Sequence, residues 1–347
     1  MRKLRSFIIK DLNMAVLFGV TIGILLFMAI VLGDRIYNVR NLSSMALQIP
    51  EFAVLALGMG VVMLLGGIDL SIVSNASLAG ILAAYVLTSD ALPQGMVIPL
   101  AIIVALVAGV TGGLINGQLV TRFSINPIVA TIGTMIFYQG IGMALTRGTA
   151  VTNFPSAFTS FGTGMQVNNT IPNLFIILAI ISVVLLFTMN LTSFGKKVYL
   201  IGENHTASRF SAISNERIVT SAYTIAGLMA GISGLMIITR TNSARVGFGD
   251  TYLLQAILVC VLAGISPSGG KGKMAGILLA LLNIQVLQSA FTLWQFTPFV
   301  RQIIWGVMLL ALLFVNKVAD TLSSNRQRNE LLKAIELQKE EQVGEES

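Results

Sequence analysis

Residues Gly95–Val120 read GMVIPLAIIVALVAGVTGGLINGQLV, without one charged side chain. A helix of about 20 apolar residues is enough to cross the hydrocarbon core of a bilayer. The run Val97–Ala108 within it does not alternate polar and apolar residues, so it does not fit the strands of a membrane barrel. Similar stretches recur along most of the 347 residues, of which 55% are hydrophobic and 11% charged, with a mean hydropathy of +0.83. A soluble domain carries roughly a quarter charged residues. The sequence therefore predicts an all-α polytopic membrane protein.

Ten spans are predicted: Leu12–Gly33, Ser44–Gly66, Ser71–Thr88, Gly95–Val120, Pro127–Leu145, Ile171–Met189, Ile218–Thr239, Tyr252–Ala263, Met274–Leu293 and Thr297–Asn316. Eight or nine full spans are also compatible, because the eighth is short and the second contains Pro50. With both termini cytoplasmic, only Arg35, Arg40, Arg147, Arg240, Arg245 and Arg301 of the 22 basic residues lie outside, as the positive-inside rule requires. Residues 1–320 then form the transmembrane domain and 321–347 a charged cytoplasmic tail. The stretch from Leu12 is too long for a signal-peptide core and reads as the first membrane helix. Arg147–Thr170 should be an external polar segment and Leu191–Glu216 the longest internal loop.

Several chemistries are excluded at once. One cysteine, Cys260, rules out an intramolecular disulfide or a multi-thiolate metal site, and one histidine, His205, rules out a His-rich metal cluster. The net charge of +7 forms no basic face of the kind that binds nucleic acid. Ser266–Lys273 (SPSGGKGK) is not a phosphate loop, because Ile265 stands where the first glycine belongs and Gly272 follows Lys271. Any ATP must be hydrolysed by another chain, and no cofactor or metal is expected here.

Glycines mark close helix packing: Gly109, Gly113 and Gly117; Gly227 and Gly231; and Gly272, Gly276 and Ala280 recur at four-residue spacing. A weak parallel repeat aligns Gly66-Gly67-Ile68 with Ala263-Gly264-Ile265. Asp69, in Gly66-Gly67-Ile68-Asp69-Leu70-Ser71, is an acid between two apolar spans and the one candidate for a buried charge on a path. It has two readings: a cap on the third span, or part of a broken element at a translocation path with Ser71, Ser74 and Asn75. Asn116, Asn126, Gln139, Asn283 and Gln285 are amides in or beside apolar spans, suited to a hydroxylated solute or to bonds between helices. The candidate path residues are Asp69, Ser71, Asn75, Asn116, Gln139 and Asn283. Leu200–Ile213 reads as a short amphipathic helix able to dock into a partner's groove or to serve as a plain connector.

Four matches in order, over roughly residues 50–315, carry a resemblance: Gly67-Ile-Asp-Leu-Ser71; Leu114-Ile-Asn-Gly117 with Pro127-Ile-Val-Ala-Thr-Ile-Gly-Thr134; Ile201-Gly-Glu-Asn-His-Thr-Ala207 through Ile213; and Leu262-Ala-Gly264 with Gly269-Gly-Lys-Gly272. The chain resembles the permeases of ribose-type sugar importers, in the branched-chain amino acid/sugar superfamily of ATP-binding-cassette systems. That resemblance implies a permease in the bacterial inner membrane that acts as a homodimer or related heterodimer. It also implies two ATPase subunits holding ATP and Mg, and a periplasmic solute-binding protein. It makes about 202–213 the coupling helix to the ATPase, with Gly202, Asn204, Ala207, Arg209 and Ser211 on the family pattern. Ala212 stands where glycine is usual, and Glu203 and Phe210 are atypical. Permeases for nucleosides, branched-chain amino acids or a sugar-like autoinducer are the nearest alternatives, followed by an ion-coupled secondary transporter and a membrane-embedded enzyme.

Overall fold

The computed structural model describes residues 12–166, 171–211, 213–315 and 317–318. The charged tail, the basic start and Ala212 lie outside the described residues.

The helices are α1 (Leu12–Leu32), α2 (Asp34–Tyr37), α3 (Val39–Leu64), α4 (Ile72–Leu87), α5 (Gln94–Thr121), α6 (Pro127–Thr146), α7 (Ser156–Thr163), α8 (Asn173–Leu191), α9 (Ser193–Glu203), α10 (His205–Phe210), α11 (Asn215–Thr241), α12 (Asp250–Leu262), α13 (Met274–Leu293) and α14 (Pro298–Val315). Among the described residues, eight helices are long and apolar enough to span: α1, α3, α5, α6, α8, α11, α13 and α14. The third and eighth predicted spans are shorter helices, α4 with 16 residues and α12 with 13.

Connectivity shows that both short helices cross. Gly202 abuts the backbone of Leu64, and three full spans, α5, α6 and α8, separate them. An odd number of crossings would leave the two residues on opposite faces, so α4 makes the fourth. Gly270 abuts Glu203 with only α11 as a full span between, so α12 makes the second crossing. The other face agrees: strand β1 (Val151–Thr152) pairs antiparallel with β4 (Ser243–Ala244), Val151 opposite Ala244, across two crossings. The inner face here is the one bearing α9 and α10. The expected external loop carries α7 and a second strand pair, β2 (Met165–Gln166) with β3 (Ile171–Pro172).

The second span starts earlier than predicted, at Val39, where the Asn38 side chain accepts from Asn41 N–H at 2.7 Å, and it continues through Pro50. Membrane helices tolerate proline where neighbouring groups satisfy the freed backbone. Helix α3 is the buried axis of the bundle, whereas α1, α5, α6, α8 and α14 keep apolar side chains on the outside. Lipid supplies no hydrophobic drive between helices, so small residues provide the contact. The glycine ridge of α5 interlocks with that of α11. A Cβ on Gly109 would lie 2.7 Å from Gly231 N, one on Gly113 2.9 Å from Gly227 Cα, and one on Gly117 2.8 Å from Thr220 Cα. The third glycine series is corrected: Gly272 belongs to the turn before α13, and only Gly276 and Ala280 lie on the helix.

The internal repeat has a structural counterpart in two helix ends. Gly66 N–H donates to Met63 O and Gly67 N–H to Val62 O; Gly264 N–H donates to Val261 O and Ile265 N–H to Cys260 O. Gly66 and Gly264 both have positive φ, 83° and 80°. Both ends are the paired i−3 and i−5 closure in which a left-handed glycine terminates a helix. The caps align Gly66 with Gly264, one residue from the register read in the sequence.

Candidate functional site

Polar groups inside an apolar bundle are costly unless they are bonded, so their placement locates candidate sites. Two such places and one loop on the inner face carry the candidate groups.

The first is at the start of α4. Asp69 Oδ1 accepts from Ser71 N–H at 3.0 Å, from Ser71 Oγ at 2.7 Å and from Asn116 Nδ2 at 3.4 Å. Asn116 Nδ2 also donates to Ser71 Oγ at 2.7 Å, and Thr134 Oγ1 donates to Asn116 Oδ1 at 2.6 Å. Thr131 Oγ1 closes the turn by donating to Ile68 O at 3.1 Å. Asp69, Ser71 and Asn116 are buried. Asn116 and Thr134 sit five and seven residues from the inner ends of α5 and α6, so the cluster lies on the order of 10 Å inside the helical layer, at 1.5 Å per residue. The non-helical turn of residues 65–71 that leads into it explains why α4 is short. Asn75, one turn further into α4, donates to Gly109 O at 2.9 Å, with Gly112 leaving room for it.

Four of the six predicted path residues, Asp69, Ser71, Asn75 and Asn116, thus come together, and the described bonds pair them with one another or with neighbouring helices. The other two lie apart. Gln139 is half-buried on α6, and Asn283 on α13 donates to Thr21 Oγ1 of α1 at 3.0 Å.

The second place was not anticipated. Glu51, midway along α3 and 1% exposed, receives Arg240 Nε at 2.9 Å and Arg240 Nη2 at 2.6 Å, while the Tyr252 hydroxyl donates to the same carboxylate. Ser233 Oγ donates to Glu51 O at 2.6 Å. This bidentate pair joins α3, the end of α11 and the start of α12. Asp69 is therefore not the only buried acid. An acid within the apolar run Ser44–Gly66 was the signal that marked Glu51.

The third is the inner loop. The predicted single helix Leu200–Ile213 is two, α9 and α10, broken at Asn204, whose Oδ1 accepts from Thr206 N–H at 3.0 Å and Ala207 N–H at 2.9 Å. Asparagine is a strong N-cap, so its side chain starts a new helix rather than continuing the old one. Helix α10 is tied to α11 by Asn215, which donates to His205 O at 3.0 Å and to Ser208 Oγ at 2.9 Å. Ala207, Arg209 and Ser211 are exposed, and Phe210 is 89% exposed. Gly202 instead points inward. Beside α10 opens a cleft of about 370 Å³, lined by Gly66, Gly67, Asn126, His205, Arg209 and Tyr223 among others.

The family model for "Branched-chain amino acid transport system / permease component" matches residues 41–313. The chain is 31% identical over 296 residues to the ribose import permease protein RbsC of Bacillus subtilis (strain 168), covering 85% of this chain and 90% of that one. It is 28% identical over 306 residues to the galactose/methyl galactoside import permease protein MglC of Escherichia coli (strain K12), covering 84% and 91%. It is 29% identical over 296 residues to the autoinducer 2 import system permease protein LsrD of Salmonella paratyphi A, covering 83% and 87%. No solved structure matches the chain. Ten crossings, a capped inner helix and a match over most of the length agree: the chain belongs to the branched-chain amino acid transport system / permease component family, as a multi-pass protein of the inner membrane.

Proposed function

We propose that this chain is the membrane subunit of an ATP-binding-cassette importer for a sugar or sugar-like solute, working as a dimer with a second permease copy. A periplasmic binding protein delivers the solute, and separate ATPase chains hold ATP and Mg. The observation that carries the reading is α10: a capped helix on the inner face, anchored to α11 by Asn215, that presents Phe210 at 89% exposure. A large aromatic exposed outside the apolar layer suits a buried anchor in a partner. Asn204, Ala207, Arg209 and Ser211 are the proposed docking residues around it. Asp69, Ser71, Asn75, Asn116, Gln139 and Asn283 are the proposed polar groups of the path; the bonds of the first four hold α4 against α5.

Binding of ATP would draw the two ATPases together, push on α10 and rearrange the bundle so that the path opens outward; hydrolysis would reverse it. The test is uptake into proteoliposomes holding this chain with its ATPase and binding protein, using labelled D-ribose and then D-galactose and autoinducer 2. Uptake that needs both ATP and the binding protein supports the reading, and the solute transported fixes the class. Uptake driven by an ion gradient without ATP overturns it. Phe210→Asp should lower ATPase recovery with the tagged permease at least tenfold.

A further inference from the structure

Four glycines from three separate segments meet on the inner face where the two repeat caps end. The last carbonyl of α3, Leu64 O, accepts from Gly270 N–H at 2.9 Å, so the turn between α12 and α13 closes the end of α3. That turn is itself folded by Ser266 N–H donating to Lys271 O at 3.1 Å and Gly269 N–H to Ser266 O at 3.0 Å. Gly202, next to last in α9, lies directly on the Leu64–Gly270 bond. A Cβ there would collide with Leu64 O and stand 2.5 Å from Gly270 N. A Cβ on Gly269 would lie 2.7 Å from Gly66 N and 2.9 Å from Gly202 O, and one on Gly270 2.6 Å from Glu203 Cα. Gly66, Gly269 and Gly270 also hold positive φ (83°, 86° and 71°). Gly202 does not, so its glycine is needed there for space alone.

Backbone therefore touches backbone across three loops, with no flexible side chain between to absorb a displacement. Gly202 is two residues from Asn204, which caps α10. The far sides of the junction are equally direct. Gly66 leads through Ile68 into the Asp69 cluster that starts α4, and the α12–α13 turn leads back to Tyr252, which holds Glu51. Close-packed interiors have discrete arrangements rather than continuous give, so a small shift at one end is passed on.

We propose that Gly202, with Gly66, Gly269 and Gly270, is the positioning junction through which movement of α10 reaches both halves of the repeat together. The proposal rests on the importer reading, since it assigns to Gly202 the transmission of the ATPase's motion rather than contact with the ATPase. Gly195 supplies the control: a Cβ there also collides with backbone, but with Met189 of the preceding helix and 2.6 Å from its Cα, touching neither repeat cap.

The experiment compares wild type, Gly202→Ala and Gly195→Ala in the reconstituted complex, reading solute taken up per ATP hydrolysed with whichever of D-ribose, D-galactose or autoinducer 2 the wild type transports. Gly202→Ala should lower that ratio at least tenfold while Gly195→Ala keeps it within twofold of wild type. A Gly202→Ala ratio equal to that of Gly195→Ala overturns the junction; a wild type without ATP-driven uptake overturns the importer reading instead. If Gly202→Ala does not assemble, hydrogen exchange on the wild-type complex decides. On addition of ATP and vanadate, amides of 64–67 and 266–271 should change protection together with 202–211. A change at 202–211 alone refutes the proposal.

Discussion

The two buried acids among the described residues, Asp69 and Glu51, are satisfied in opposite ways. Asp69 precedes a helix: the N–H of Ser71 is free to donate, the Ser71 and Asn116 side chains add to it, and the positive end of α4 faces the carboxylate. Glu51 lies in the interior of α3, where every nearby backbone N–H is spent within the helix, so its partners come from other helices as a guanidinium and a phenol. Position along a helix thus decides what a buried acid requires. At a helix start, neutral donors suffice; in mid-helix, a cation must be imported. The inner acid accordingly orders its own turn and takes one weaker donor from α5, whereas the outer one fastens three helices that are far apart in sequence.

Arg240 carries the largest expected effect. Arg240→Met leaves Glu51 buried without a cation, and removal of one partner from a buried pair costs about 3–5 kcal/mol. Thermal unfolding of the purified protein in mild detergent should show it as the largest loss among these substitutions. Adding Glu51→Gln to Arg240→Met should restore most of that loss, because the unpaired charge is gone and the pair itself contributes little net stability. A double variant no more stable than Arg240→Met would mean that the pair fixes the geometry of α12 rather than balancing charge.

Asn116 is the next test. It bonds Ser71, Asp69 and Thr134 at once, and Asn116→Leu keeps the approximate shape while stranding those groups. Unsatisfied buried partners cost about 1–3 kcal/mol, so its unfolding midpoint should fall between wild type and Arg240→Met. A midpoint equal to wild type would mean that water replaces the amide and that the cluster is open to solvent.

These residues differ in how far the sequence reveals them. The spans are legible because bilayer thickness demands long uncharged runs, and Gly95–Val120 meets that demand with nothing else in view. The Asp69–Ser71 turn is legible because its partners are two residues apart. The pairing of Asn116 with that turn is not, although the amide itself stands out in an apolar helix. Glu51 and Arg240 are 189 residues apart, and Arg240 reads as an ordinary external arginine because it ends a span; only folding turns it toward α3. The break at Asn204 was carried by a strong capping residue, yet the surrounding amphipathic pattern favours one helix. The short lengths of α4 and α12 follow from the non-helical segments that precede them, 65–71 and 242–249, and hydropathy does not register those.

Asp69→Asn should have the smallest effect and is the finest test of the contrast. The amide keeps Oδ1 in place to accept from Ser71 N–H, Ser71 Oγ and Asn116 Nδ2, and no cation is left stranded by loss of the charge, since the donors described around Asp69 are neutral. A neutral group is also cheaper to bury than a carboxylate. The gain offsets the weaker bonds of an uncharged acceptor and the lost attraction of the α4 terminus, which is about 0.3–1 kcal/mol. The net change should therefore stay within about 1 kcal/mol, while Arg240→Met loses several times more. If Asp69→Asn left the unfolding midpoint unchanged but abolished uptake, the inner acid would act on the solute or on the opening of the path. If it cost as much as Arg240→Met, the inner acid would depend on its charge as the outer one does, and position along the helix would not be what separates them.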